Sequence, residues 1–257
     1  MRFARFSSLQ DEAIRLGVQH EGEWLEIKGD MFGEWSYTGE RLDIQKLSFQ
    51  APVEPRQIIG IIANYQNSGQ PRPEFGDPCF FIKSPTSVIG PDEQIIMPSD
   101  IKFLNYEAEL AVIIGKPAYQ INEEDVQNVI FGYSIANDLT AVSYGHVNGN
   151  NTMTKVSPTL TPIGPHIETS LDMNQTVIAS YVNGEMKQND SVLLMLHDIP
   201  KMISFLTKRM KLLPGDVILT GAPAGAGTVA IGEIIQCSIS GIGTLSNSVS
   251  LLPVQDE

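Results

Sequence analysis

Cysteine is nearly absent from this 257-residue chain. Cys79 and Cys237 are the only two, and neither stands in a CxxC or Cys/His ligand spacing. A disulfide scaffold is therefore excluded, and structural zinc is disfavoured. Histidine is scarce as well: His20, His146, His166 and His197 are scattered and form no HExxH or HxH pattern. No GxSxG occurs, which removes the common serine-hydrolase elbow. Lys and Arg number 17 against 30 acidic residues, a formal charge of −13. Such a surface lacks the clustered cations that a nucleic-acid backbone requires. The strongest apolar runs, Ile58–Ala63 and Leu110–Ile114, are far too short to span a bilayer, and the opening MRFARFSSLQDEAIRLG lacks the apolar core of a signal peptide. The expectation is a soluble, cytoplasmic protein with neither nucleic acid nor membrane as partner.

What is present suits a globular enzyme-sized chain, with 42% hydrophobic residues and enough length to bury a core unaided. Residues 1–50 read as a small N-terminal β-rich domain, with strands at Met1–Phe6, Ile14–His20 and Glu23–Ile27. Ala51–Arg56, with two prolines, reads as a linker, and 56–257 as the main domain. There, apolar runs recur at Ile58–Ala63, Cys79–Ile82, Leu110–Ile114, Ile130–Ala136, Val177–Val182 and Val217–Leu219, mostly bounded by turn residues. Helices are few: a short one capped by Asn122, and one starting near Asp198 with Pro200 in its first turn. The fold class expected is mainly β (α+β), with a few flanking helices.

The segment Asn105-Tyr106-Glu107-Ala108-Glu109-Leu110-Ala111-Val112-Ile113-Ile114-Gly115 is the most informative. In a strand, residues two apart share a side, so Glu107 and Glu109 project together, about 7 Å apart at the backbone. They head a wholly apolar strand, where two carboxylates repel each other and lose hydration. A divalent cation would resolve both problems; a solvated strand end is the simpler alternative. Asp138, following the run Ile130–Asn137, is either a third ligand at a sheet edge or a turn former. Three carboxylates without a nearby histidine favour a hard cation, Mg²⁺ or Mn²⁺, over zinc. The glycine-rich stretch Thr220–Gly227 lacks the P-loop and GxGxxG patterns and runs into further β-like sequence. It reads as a substrate-lining loop or as a plain turn.

These residues resemble the fumarylacetoacetate hydrolase superfamily. The likeness rests on Tyr106-Glu107-x-Glu109 through Lys116; Gly132-Tyr133 with Ala136-Asn137-Asp138; Pro162-Ile163-Gly164-Pro165; Val182-Asn183-Gly184-Glu185; Pro214–Gly225; and Gly241–Leu245. It covers roughly residues 56–250. The resemblance implies a partly rolled, mixed β-structure, often dimeric, preceded by a small N-terminal domain. It implies Mg²⁺ or Mn²⁺ on Glu107, Glu109 and Asp138, and Lys155 as the active-site lysine. Tyr65, Thr220 and Gly221 would bind substrate, a small oxo-acid or dicarbonyl compound, and a homodimer is expected.

The sequence also departs from the family pattern. Asn64-Tyr65-Gln66-Asn67-Ser68 has serine where the catalytic histidine stands, and a serine hydroxyl cannot act as a base near neutral pH. Asn137-Asp138-Leu139-Thr140-Ala141-Val142-Ser143 loses an arginine at Val142 and an aspartate at Ser143. Glu74, Tyr144 and His146 are candidates for a displaced acid or base. The resulting expectation is a metal-dependent C–C lyase, hydrolase or isomerase acting on an enolisable 2-oxo acid or β-dicarbonyl compound. Decarboxylation or keto–enol isomerisation fits better than hydrolysis, since neither needs activated water. The alternatives are a catalytically degenerate ligand-binding protein and a biosynthetic tailoring enzyme.

Overall fold

The computed structural model describes residues 1–8, 13–67, 69, 76–101, 103–142 and 152–251. Ser68, Glu74, Ser143, Tyr144 and His146 lie outside these. The chain begins with an antiparallel meander of strands Arg2–Ser8, Ile14–His20, Glu23–Gly29 and Trp35–Arg41, and Leu47–Gln50 returns to pair with the first. Glu21 and Gly22, both at positive φ, make the two-residue turn that joins His20 to Glu23. That backbone matches the twist of a tight hairpin. Phe6 packs against Trp24 and Phe49, with Leu42 closing this small core.

The N-terminal strands extend the sheet of the main region. Arg2–Ser8 pairs with Thr161–Glu168, in the register Arg2↔Glu168 and Phe3↔Ile167. From there the sheet continues through Ile130–Asn137, Ala108–Ile114, Val217–Leu219 and Ile58–Ile61 to Phe80–Lys83. The connecting segment is correspondingly packed: Ala51, Pro52, Val53 and Pro55 are buried, not exposed like a free linker.

Four strand steps separate Ile130–Asn137 from Phe80–Lys83, which in a flat sheet would be about 19 Å. Yet the Lys83 ammonium lies 2.5 Å from Asp138, at the end of the former strand. A lysine side chain cannot span the flat distance, so the sheet is strongly curled. The short strand Val88–Ile89, just beyond Lys83, then pairs with Thr161–Pro162 and brings the curl back towards itself.

Ala108–Ile114 is buried along its whole length because cores lie on both its faces. Leu110, Val112 and Ile114 point into one, and Ala111 and Ile113 into the other. The first core is closed by a second sheet, ordered Glu185–Ser191, Val177–Val182, Ile234–Ile239, Gly243–Leu251 and Ile95–Met97. The Asn183-Gly184 turn of that sheet repeats the positive-φ hairpin geometry. Helix Ile199–Thr207 adds Met202, Ile203 and Leu206 to the same core, and Asp198 caps it by accepting from Lys201 N at 2.9 Å. The segment after Asn122 is a 3₁₀ helix, Glu123–Asn128, and the Asn122 side chain makes no capping bond. The architecture is mainly β with few helices. Among the described residues, no helix is long and apolar enough to cross a membrane.

Candidate metal and substrate site

Strand register alone brings the three carboxylates together. Ala108 pairs with Asn137 and Glu109 with Ala136, which sets Glu107 opposite Asp138. Because the side-chain period is two, Glu107 and Glu109 share a side, and Asp138 joins them across the ladder. At Glu107 the chain changes partners, since the preceding strand Leu104–Tyr106 pairs with Gly227–Val229. Its backbone is held through the change: Glu107 N donates to Asn137 Oδ1 at 3.1 Å, and its carbonyl accepts from Asp138 N at 2.8 Å. The fully buried Gln188 accepts from Ala108 N and donates to the Pro223 carbonyl, tying the glycine-rich loop to the same point. One oxygen from each of Glu107, Glu109 and Asp138 lies within 4.8 Å of the others, a group that could hold a metal ion.

The glycine-rich loop completes the site. Gly221 N donates to Glu109 Oε2 at 2.7 Å. Gly221 sits at φ +90°, and a Cβ there would lie 2.9 Å from Asn64 Cβ. Asn64 itself is buried, donating to the Thr220 and His197 carbonyls and accepting from His197 N.

Two lysines enter the cluster. Lys155 ends a short helix, Thr152–Lys155, and is only 7% exposed, where a solvated loop lysine would be open to water. Its Nζ donates to Asp138 Oδ2 at 2.5 Å and to Glu107 Oε2 at 3.1 Å. Lys83 was not a candidate in the sequence. It is completely buried and donates to Asp138 Oδ1 at 2.5 Å and to the Leu139 carbonyl at 3.0 Å. The available signal was alternation in Phe80-Phe81-Ile82-Lys83, which puts Lys83 on one side with Phe81 and leaves Ile82 exposed on the other.

Burial governs the electrostatics. It drives the Glu109 carboxyl well above its usual range, and the charges of Asp138 and Glu107 push the same way. Glu107 is also raised by burial, against the pull of Lys155. Asp138 is buried too, but the ammonium groups of Lys155 and Lys83 outweigh that and hold it below its usual value. Burial lowers Lys83 to about 8, although Asp138 opposes it. For Lys155 the balance reverses: burial acts downward, yet Asp138 and Glu107 raise it, so it is a firm cation.

The cluster opens into a cavity of about 300 Å³, at the lower end of the roughly 300–1,000 Å³ range of small-molecule sites. Lys155, Gly221 and Val142 line it with the three carboxylates, whereas Tyr65 and Thr220 do not. Their hydroxyls are buried. Burial raises the Tyr65 phenol, and its acidity responds to both Thr220 and Glu109, so these groups are close behind the wall.

The donor set fits a hard divalent cation. It is all carboxylate, and the buried Glu109 is bonded by one backbone N–H and paired with neither lysine. A dication placed among the three carboxylates removes their mutual repulsion and compensates their burial.

A curled β-sheet carrying an acidic trio, two of its members buried, at a small cavity defines the class. The fumarylacetoacetate (FAA) hydrolase C-terminal model matches residues 57–250, and a model described as Rv2993c-like, N-terminal matches residues 1–52. The chain belongs to the fumarylacetoacetate hydrolase family. Protein Rv2993c of Mycobacterium tuberculosis is 34% identical over 252 residues, covering 95% of this chain and 93% of its own length. Oxaloacetate tautomerase YisK of Bacillus subtilis is 33% identical over 242 residues, covering 88% and 79%. Among solved structures, 5-carboxymethyl-2-hydroxymuconate delta-isomerase from Mycobacterium smegmatis matches with a TM-score of 0.91 at 32% identity, over 98% of this chain and 100% of that one. Maleylpyruvate hydrolase from Sphingobium sp. SYK-6, in complex with manganese(II) and pyruvate, matches with a TM-score of 0.81 at 27% identity, over 98% and 99%. Members of the family thus include isomerases, hydrolases and tautomerases.

Proposed function

We propose that the protein is a Mg²⁺- or Mn²⁺-dependent enzyme that enolises a small 2-oxo acid or β-dicarbonyl compound, with isomerisation or decarboxylation ahead of hydrolysis. The observation that carries this reading is the meeting of Glu107, Glu109, Asp138 and Lys155 on one wall of the cavity. When bound to the three carboxylates, a divalent cation supplies a Lewis acid that favours negative charge on substrate oxygens. Lys155 contributes as a cation and N–H donor. Its bonds to Asp138 and Glu107 fix the Nζ position. Asp138 is oriented from behind by Lys83. With a dication holding all three carboxylates ionised, the cluster with its two ammonium groups sums to −3 + 2 + 2 = +1. That balance suits a mono-anionic ligand whose charge grows on enolisation. The oxaloacetate tautomerase YisK and the M. smegmatis isomerase, whose reactions each move a double bond and a proton, agree with this choice.

The test is to strip the protein with chelator, restore Mg²⁺ or Mn²⁺, and assay tautomerisation and decarboxylation of oxaloacetate and acylpyruvates. Turnover that returns with metal and disappears in Glu109→Ala is expected. Turnover indifferent to both, or absent for every 2-oxo acid and dicarbonyl compound, would sink the proposal.

A further inference from the structure

We infer that the cavity selects a substrate with one carboxylate and an uncharged, apolar substituent received by Ile62, Phe81 and Val142. The inference rests on the function proposed above and names the substrate class for that site.

Among the described residues that line the cavity, Lys155 is the only cation, and every lining side chain outside the carboxylate–lysine cluster is uncharged. An ammonium has three donors, of which Lys155 commits one to Asp138 and one to Glu107, leaving one for a ligand. Lys83 offers none, since it is fully buried, bonded to Asp138 and Leu139, and away from the cavity wall. The site can therefore satisfy one anionic end of a ligand at the cluster. Among the described lining residues no second cation stands ready to pair with another carboxylate, which would lose hydration there.

Beyond the cluster, the described lining mixes the uncharged polar residues Asn105, Thr140 and Thr154 with the apolar Ile62, Phe81 and Val142. Ile62 and Val142 are 36% and 39% exposed, each an apolar side chain open to the cavity. Phe81 is fixed by its pairing with Gly60: a Cβ on residue 60 would sit 2.2 Å from the ring, so only glycine lets the ring lie there. In this position the ring centroid is 4.7 Å from Lys155 Nζ. The aromatic face thus borders the polar end of the cavity directly, and a carbon chain extending from a group held at Lys155 would run along it.

The experiment titrates the full-length Mg²⁺-loaded protein calorimetrically with pyruvate, 2-oxobutanoate, 2-oxopentanoate and 2-oxohexanoate. Oxaloacetate and 2-oxoglutarate serve as dicarboxylates of matched carbon count. Affinity is expected to rise about fourfold for each added methylene. Each dicarboxylate should bind at least about tenfold more weakly than its matched monocarboxylate. In Val142→Arg, oxaloacetate should gain about tenfold relative to 2-oxobutanoate. If that variant fails to fold, the wild-type ladder decides alone. Dicarboxylates that bind more tightly than their partners, a flat response to chain length, or no binding by any member would overturn the inference. Turnover measured in parallel separates the two claims. The predicted ladder without turnover keeps the apolar subsite and removes the enzymatic reading. Turnover with dicarboxylate preference keeps the enzyme and removes the subsite.

Discussion

Replacing Lys83 by methionine removes an ammonium but keeps most of the buried volume. The group removed is fully buried, 2.5 Å from Asp138 Oδ1 and 3.0 Å from the Leu139 carbonyl. Breaking a buried ion pair from one side costs about 3–5 kcal/mol, because the remaining charge stays desolvated. Asp138 keeps Lys155, which places the expected loss near the lower end, about 3 kcal/mol. At roughly 2–4 °C per kcal/mol for a chain this size, metal-free Lys83→Met should melt about 6–12 °C below wild type. Two further results follow from the same geometry. Lys83→Met/Asp138→Asn should recover part of the loss, since the orphaned charge is gone. Saturating Mg²⁺ should raise the melting temperature of Lys83→Met more than that of wild type, because the dication replaces a missing cation. Lys116→Met, at an exposed position, is the control and should stay within about 0.5 kcal/mol. The assay is thermal and urea unfolding of chelator-treated protein. A Lys83→Met variant within about 1 kcal/mol of wild type would refute the reasoning, since no desolvated charge would then depend on Lys83.

Other perturbations probe neighbouring parts of the account. Gly221→Ala puts a side chain at φ +90° and 2.9 Å from Asn64 Cβ. The expected cost is about 1–3 kcal/mol of stability, with weakened Mg²⁺ binding through the displaced Glu109 contact, read by denaturation and calorimetry. His166 is held down to about 4 from 6.5 by burial and by the nearby Arg2 charge. The unfolded chain therefore takes up this proton first as the pH falls. Stability should drop between pH 6.5 and 4 by up to about 3 kcal/mol, and unfolding curves of His166→Gln should lose that component.

Much of the site was legible before any coordinates, and the reason is local. Glu107 and Glu109 share a strand, and the period of two that puts them on one side needs no tertiary knowledge. Asp138 could be read only as a candidate, because its place opposite Glu107 depends on the register of two strands. Lys83 was illegible in kind: its contact with Asp138 exists only because the sheet curls through four strand steps. The union of the N-terminal strands with the main sheet was hidden in the same way. It runs through Thr161–Glu168, which was not among the strands read from the sequence and whose Pro162 and Pro165 each withhold a ladder donor. Tyr65 and Thr220 were read from their motif positions, and their hydroxyls are buried beside the cluster, where Tyr65 feels the Glu109 charge. Side-chain direction at a strand end is decided by the turn that follows, here the left-handed residues Ala63 and Gly221.

The claim on which the rest depends is that the acidic trio holds a divalent cation. Its most direct measurement is Mn²⁺ titration of the full chain followed by electron paramagnetic resonance, in wild type, Glu109→Gln and Asp138→Asn. The account predicts one tightly held Mn²⁺ per wild-type chain, competed off by Mg²⁺, and loss of that ion in both variants. Free Mn²⁺ signal undiminished by wild-type protein, or equal binding by all three proteins, would contradict it.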